Sequence, residues 1–145
     1  MRARLATPAD AAAIARIYTQ GIEDRIATFE TRPRSAEDVR GWFAATSPYR
    51  PRECYARVAE FSVYVARDAR GRGVGRQALG ELLAAAERAG LVKLVSRIFP
   101  ENHASRALCR ALGFREVGVY EKHGQLDGVW KDCVIVERRL GGEAP

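Results

Sequence analysis

The chain has no run of eighteen or more apolar residues, which argues against a membrane-spanning helix. Met1 is not followed by a basic stretch and an apolar core of the signal-peptide kind. A helix cap comes within a few positions instead, so the chain is expected to be cytoplasmic. Cysteine is scarce and scattered: Cys54, Cys109 and Cys133 lie far apart without C-x-x-C spacing, which suggests neither a disulfide framework nor a thiolate zinc site. Of the two histidines, His103 has no second histidine or paired carboxylate at ligand spacing, and no metal is expected. Aromatic residues are also few. None is interleaved with the one basic concentration, Arg67, Arg70, Arg72 and Arg76, which disfavours a nucleic-acid surface and favours a single phosphate-bearing ligand.

What remains is the balance of one globular domain: 145 residues, 47% of them apolar, are enough for a single core and too few for two. Residues 1–140 are expected to form that domain and 141–145 a frayed tail. The net charge of +6 suits an anionic small molecule as well as a polyanion, and charge alone does not choose.

Helix and strand signals alternate. Thr7, Pro8 and Asp10 open a first helix carrying Ile14, Ile17 and Tyr18 and ending near Gly21. Ser35 to Asp38 opens a second with Val39, Trp42 and Phe43. Ser47-Pro48 and Arg50-Pro51 mark a loop. Val58 to Val65 reads as a strand with Phe61, Val63 and Val65 on one face and Val58, Glu60, Ser62 and Tyr64 on the other. Leu79, Leu82, Leu83 and Ala86 give the clearest helix, stopped by Gly90. A strand over Leu91 to Ile98, a helix over Ala104 to Leu112, and strands over Phe114 to Tyr120 and Cys133 to Leu140 complete a mixed α/β order.

The chemistry begins at Arg70-Gly71-Arg72-Gly73-Val74-Gly75-Arg76, between a strand and a helix. Glycines there let the backbone approach a ligand, and the first amides of a helix are free to hold an anion. The segment lacks the Gly-Lys-Ser/Thr of a nucleoside-triphosphate loop and the G-x-G-x-x-G spacing of a dinucleotide fold, so it reads as a pyrophosphate cradle of another kind.

Val63-Tyr64-Val65 precedes this loop, and Pro100 to Phe114 carries Asn102, Ser105 and a closing Gly113-Phe114. Together these resemble the GNAT superfamily of N-acetyltransferases: Arg70, Gly73 and Gly75 match its Arg/Gln-x-x-Gly-x-Gly/Ala signature, and Asn102 with Ser105 its Asn-x-x-Ser/Ala helix. Val58 to Val65 and Gly128 to Asp132 further resemble its phosphinothricin and arsinothricin acetyltransferase group. The resemblance implies a mostly antiparallel mixed sheet flanked by helices, and acetyl-CoA as co-substrate. It implies that amides from Gly71 through Arg76 hold the pyrophosphate, that Tyr64 and Val65 offer backbone to pantetheine, and that Asn102 lies beside that arm. The acceptor would be the primary amine of a small amino-acid-like molecule.

In that group a strand glutamate, here Glu60, is the expected base. An ammonium must lose a proton before its nitrogen can attack a thioester, and a carboxylate can receive it directly or through water. Relatives place a tyrosine acid where this chain has Cys109, and no acid is assigned. His123 resembles a substrate-side Lys-His-Gly histidine, or is simply an exposed one. Phe29 is either a pocket wall or an ordinary core residue. Arg50 and Arg52, or Arg25 and Arg32, could supply the cation that an acidic acceptor needs.

One departure stands out. Relatives insert a two-strand hairpin after the second helix, but only Ala44-Ala45-Thr46 separates Phe43 from the Ser47-Pro48 loop. A hairpin's usual strand and turn lengths put the absent segment at about twenty residues. An open sheet edge would follow, and a homodimer is expected to cover it. An acetyltransferase for another amine or a protein N-terminus, and a CoA-binding module whose catalysis went with the hairpin, are the alternatives.

Overall fold

The computed structural model describes residues 2–44 and 52–141. The expected loop residues Ser47, Pro48 and Arg50, and the tail beyond Gly141, lie outside them. After a short 3-10 turn at Pro8–Asp10 come α1 (Ala11–Glu23) and α2 (Ala36–Ala44). Then follow β1 (Val58–Glu60), α3 (Val74–Arg88), β2 (Lys93–Ile98), α4 (His103–Ala111), β3 (Arg115–Leu126) and β4 (Val129–Arg139). The sheet order is β1-β2-β4-β3, with β1 parallel to β2 and the other pairs antiparallel.

Period-two alternation sends Leu94 and Ile98 of β2 and Val134 and Val136 of β4 to one face. There Leu79, Leu83 and Ala86 of α3 and Cys109 of α4 close the main core over them. Leu79 is fully buried, so Leu79→Ala would cost about 2–5 kcal/mol. Helices α1 and α2 form a smaller cluster of their own through Ala11, Ala15 and Val39.

Two elements differ from the sequence expectation. The strand read over Val58 to Val65 is laddered only through Glu60. The Phe61 amide still donates to the Val95 carbonyl at 3.1 Å, and the Ser96 hydroxyl donates to the Phe61 carbonyl at 2.9 Å. Beyond them residues 62–66 belong to no strand. The side chains keep their alternation, which is what the sequence reports; the ladder depends on a neighbour. On the other edge of β1, where the hairpin is expected, no strand pairs among the described residues.

The second difference is the β3–β4 hairpin, which runs some ten residues further than the sequence suggests. Asp127 and Gly128 both have positive φ (48° and 78°), the two-residue turn that an Asp-Gly pair favours. Register shifts near Val117 and between Tyr120 and Gly124 break the alternation and hide the strand.

Candidate active site

The departure of residues 62–66 from β2 opens a cleft of about 360 Å³. Tyr64, Val65, Gly71, Gly75, Asn102 and Ser105 are among its walls. It shares Val63, Tyr64, Asn102 and Leu108 with a narrower pocket of about 50 Å³ that reaches Phe61, Ser96, Arg97 and Cys109. Of the expected cofactor residues, Tyr64, Val65, Arg70, Gly71, Gly75, Asn102 and Ser105 thus line one channel that runs from the glycine loop toward the middle of the sheet, whereas Arg72, Gly73, Val74 and Arg76 do not line it.

At the wide end Gly71 and Gly73 have φ of 71° and 80°, backbone that a side chain would strain. Gly73 precedes the first turn of α3, no side chain caps that helix, and Val74, Gly75 and Arg76 form the turn. Uncapped amides at a helix start favour an anion. Arg72 and Arg76 are exposed and make no ion pair among the described residues. Arg70 serves differently: its Nε donates to the Val65 carbonyl at 3.0 Å and its Nη1 pairs with Asp24 at 2.7 Å, bracing the strand and loop against α1. Burial pushes the Asp24 carboxyl up, but hydrogen bonds from Arg67 and Arg70 outweigh it and hold the group below its ordinary range.

The walls are fixed by packing. Gly21 of α1 sits under Tyr64, where an added Cβ would lie 2.6 Å from the ring. Tyr64 also meets Tyr18 edge-on at 4.6 Å. Burial pushes its phenol well above the ordinary range, so it stays protonated. Asn102, buried at the start of α4, accepts from the Ser105 amide at 3.2 Å and donates to the Ile26 carbonyl at 3.2 Å. Both of its polar groups are engaged in holding α4 against the loop after α1.

Charged side chains converge at the narrow end. Glu60 lies in register with Val95, and Arg97 follows two residues later on the same face of β2. Arg97 Nη2 meets Glu60 Oε1 at 2.5 Å, Arg97 Nε meets the same oxygen at 2.9 Å, and Arg97 Nη1 lies 3.5 Å from His123 Nε2. Glu60 does not line the pocket; Arg97 does.

Arg97 is the residue that the sequence reading missed. Its signal was the alternation Lys93, Val95, Arg97 inside a strand read simply as buried. The other candidate cations are committed elsewhere: Arg25 pairs with Asp127 at 3.0 Å and Arg32 with Asp38 at 3.3 Å. Arg52 is exposed, and Arg50 lies outside the described residues. Phe29 packs edge-on to Phe99 at 4.9 Å and against Gly124, in a satellite core with Leu126 and Cys133. It is a support beneath the hairpin and not a wall of the channel.

Cys109 stands in the pocket wall, and burial pushes its thiol up to about 11. An ordinary thiol has a pKa of about 8.5, so proton donation from Cys109 to a leaving thiolate would run uphill by about 3 kcal/mol. Cys109 is an apolar filler in this pocket. Among the described residues no group of three or more His, Cys, Asp and Glu could hold a metal, and no helix is long and apolar enough to cross a membrane.

Residues 22–114 match the Acetyltransferase (GNAT) family. A phosphinothricin N-acetyltransferase of Streptomyces coelicolor is 30% identical over 86% of this chain and 87% of its own length. That alignment has 149 positions, whereas 86% of 145 residues is about 125, so about 24 positions have no counterpart here. The number fits the absent hairpin. The ribosomal-protein-alanine N-acetyltransferase of Brucella melitensis superposes with a TM-score of 0.89 at 32% identity, over 94% of this chain and 98% of that one. A GNAT superfamily phosphinothricin acetyltransferase from Sinorhizobium meliloti, solved in complex with AcCoA, gives 0.88 at 28% identity over 95% and 87%. With the split strand, the glycine loop and these likenesses agreeing, the chain belongs to the Acetyltransferase (GNAT) family of acetyl-CoA-dependent N-acetyltransferases.

Proposed function

We propose that this protein acetylates the primary amine of a small amino-acid-like acceptor of the phosphinothricin or arsinothricin kind. The observation that supports this reading is one channel with the backbone of Gly71 and Gly75 at one end and, at the other, Arg97, which is paired with the Glu60 carboxylate. Acetyl-CoA supplies the thioester, whose carbonyl carbon gains the amine nitrogen as the carbon–sulfur bond breaks and CoA leaves as the thiol.

The residues present fit that co-substrate. Amides from Gly71 through Arg76, with Arg72 and Arg76 beside them, would hold the pyrophosphate. The backbone of Tyr64 and Val65, outside the sheet ladder, would pair with the pantetheine amides in place of the strand that leaves, and Asn102 and Ser105 would flank that arm. Glu60, directly or through water, would take the proton from the acceptor's ammonium and so expose the nitrogen lone pair. A backbone amide near Tyr64 would steady the oxyanion. Water, and not Cys109, would return the proton to the thiolate. His123 borders the acceptor end through Arg97. The cytoplasm, where thiols such as these three free cysteines stay reduced, suits the reaction.

The test is release of free thiol from acetyl-CoA with phosphinothricin, methionine sulfoximine and a panel of amino acids. Turnover of at least one amino acid is expected; turnover of none would overturn the acceptor class. Similarity to the Brucella melitensis ribosomal-protein enzyme favours a second reading, a protein N-terminus as acceptor. Turnover of N-terminal peptides without free amino acids would establish that reading instead.

Between α1, α2 and the segment after β1 lies a mostly apolar groove of about 420 Å³ walled by Ile14, Ile17, Tyr18, Trp42, Ser62 and Tyr64, with Trp42 and Phe43 exposed. We propose that a second copy covers it in a homodimer. Sedimentation should give twice the chain mass, and a monomer at every concentration would refute the dimer.

A further inference from the structure

Glu60 and Arg97 form an ion pair in which both contacts fall on a single carboxylate oxygen, Oε1, at 2.5 and 2.9 Å. The pair is half open to solvent: the Arg97 side chain is 44% exposed and that of Glu60 34%. Pairs exposed to this degree contribute little to stability, so the link separates readily. Its place is informative. Arg97 lines the narrow end of the channel where the acetyl group would lie, and Glu60 stands behind it.

Because Arg97 lines the pocket and Glu60 does not, an acceptor in the channel meets the guanidinium before it can reach the carboxylate that Arg97 holds. The site therefore needs something to take Arg97 away at the moment of reaction. An α-amino acid carries the complement of this pair, a carboxylate and an ammonium separated by one carbon. Arg25, Arg32 and Arg70 are bound to Asp127, Asp38 and Asp24, whereas the partner of Arg97 is the base itself.

We propose that Arg97 reads the α-carboxylate of the acceptor, exchanging Glu60 for it, and that this exchange frees Glu60 to receive the α-ammonium. The internal ion pair is then a template for a zwitterion. The exchange makes release of the base conditional on a carboxylate in the acceptor, so amines without one meet a base still held by Arg97. A guanidinium suits this role because it can turn its planar fork from one carboxylate to another. The proposal rests on the amino-acid acceptor proposed above.

The test compares an amino acid that turns over with its α-carboxamide, which keeps the amine and loses the carboxylate charge. Thiol release is measured for the natural chain, Arg97→Gln and Arg97→Lys. The natural chain should prefer the acid by about 30-fold in kcat/KM, the scale of a charged hydrogen-bonded contact. Arg97→Gln should bring the ratio near one, mainly through KM for the acid, and Arg97→Lys should restore part of it. An acid-to-amide ratio that is the same in the natural chain and in Arg97→Gln would overturn the proposal while leaving the enzyme an amino-acid acetyltransferase.

Should no amino acid turn over, the acceptor reading fails, and calorimetric titration of glutamate and its α-carboxamide into the CoA-loaded chain decides Arg97 separately. Carboxylate-dependent binding lost in Arg97→Gln would still assign Arg97. Binding that is absent, or indifferent to the substitution, would refute it.

Discussion

The two ends of the channel are built from different materials. The end proposed to hold phosphate is main chain: seven contiguous residues, two glycines at positive φ and an uncapped helix start. The end proposed for the acceptor is side chain: Glu60, Arg97 and His123, from three strands and more than sixty positions, meet only because the register of the sheet places them together. Amides in a fixed turn have no rotamers to order and do not titrate, so they hold a constant ligand. Charged side chains can exchange partners, which suits an end that must tell acceptors apart.

If that division is right, substitutions at the two ends should fail in different parameters. The largest effect is expected at the acceptor end. Glu60→Gln keeps the shape and removes the base, and should lower kcat by about 10²–10⁴-fold at neutral pH, the usual contribution of general acid–base catalysis. KM for acetyl-CoA should stay within about twofold. Steady-state rates with both substrates varied will check it, and an unchanged kcat would remove Glu60 from the mechanism.

Next in size is Gly73→Val at the phosphate end. A branched side chain at φ of 80° costs about 1–2 kcal/mol, enough to weaken acetyl-CoA binding by about tenfold if the turn opens to relieve it. Titration should show the weaker binding, and kcat at saturating acetyl-CoA should change little. A loss confined to kcat would contradict the division between the ends. Arg72→Ala should be milder still, about two- to fivefold in KM for acetyl-CoA, and the difference should fade as added salt screens an exposed charge.

The same contrast governs what could be read from the sequence. Arg70 to Arg76 was legible because a turn's requirements are local, and helix α3 because its apolar period is written in adjacent residues. The Glu60–Arg97 pair was not, since nothing in either strand alone states that position 60 lies beside position 95. Arg70 was visible as a cation but not as a brace, because Asp24 reaches it from the end of α1, more than forty positions away. The extent of β1 was misread for a related reason: alternation reports faces, whereas laddering needs a partner, and among the described residues no strand pairs with its other edge. The far half of the β3–β4 hairpin carried a usable signal, Asp127-Gly128, beneath a break in alternation at the Tyr120–Gly124 shift.

The smallest expected effect belongs to neither end and serves as their control. Asp38 opens α2 reciprocally with Ser35: the Ser35 amide donates to Asp38 Oδ2 at 2.8 Å, and the Asp38 amide to Ser35 Oγ at 3.1 Å. The Ser35 backbone hydrogen bond first, and then Arg32, lower the Asp38 carboxyl to about 2. In the unfolded chain it would titrate at about 3.9. A depressed folded value means that the unfolded state binds more protons between these limits, so the contribution is full above about pH 4 and is lost as pH falls through about 2. Asp38→Asn should therefore lower the urea midpoint at pH 7, with the gap to the natural chain closing on acidification. Neither KM should move, because among the described residues no hydrogen bond or ion pair joins Asp38 to the glycine loop or to the Arg97 pair. A shift in KM accompanying this loss of stability would mean that the site senses folding strength in general, and the separate failures expected of Glu60→Gln and Gly73→Val would lose their meaning.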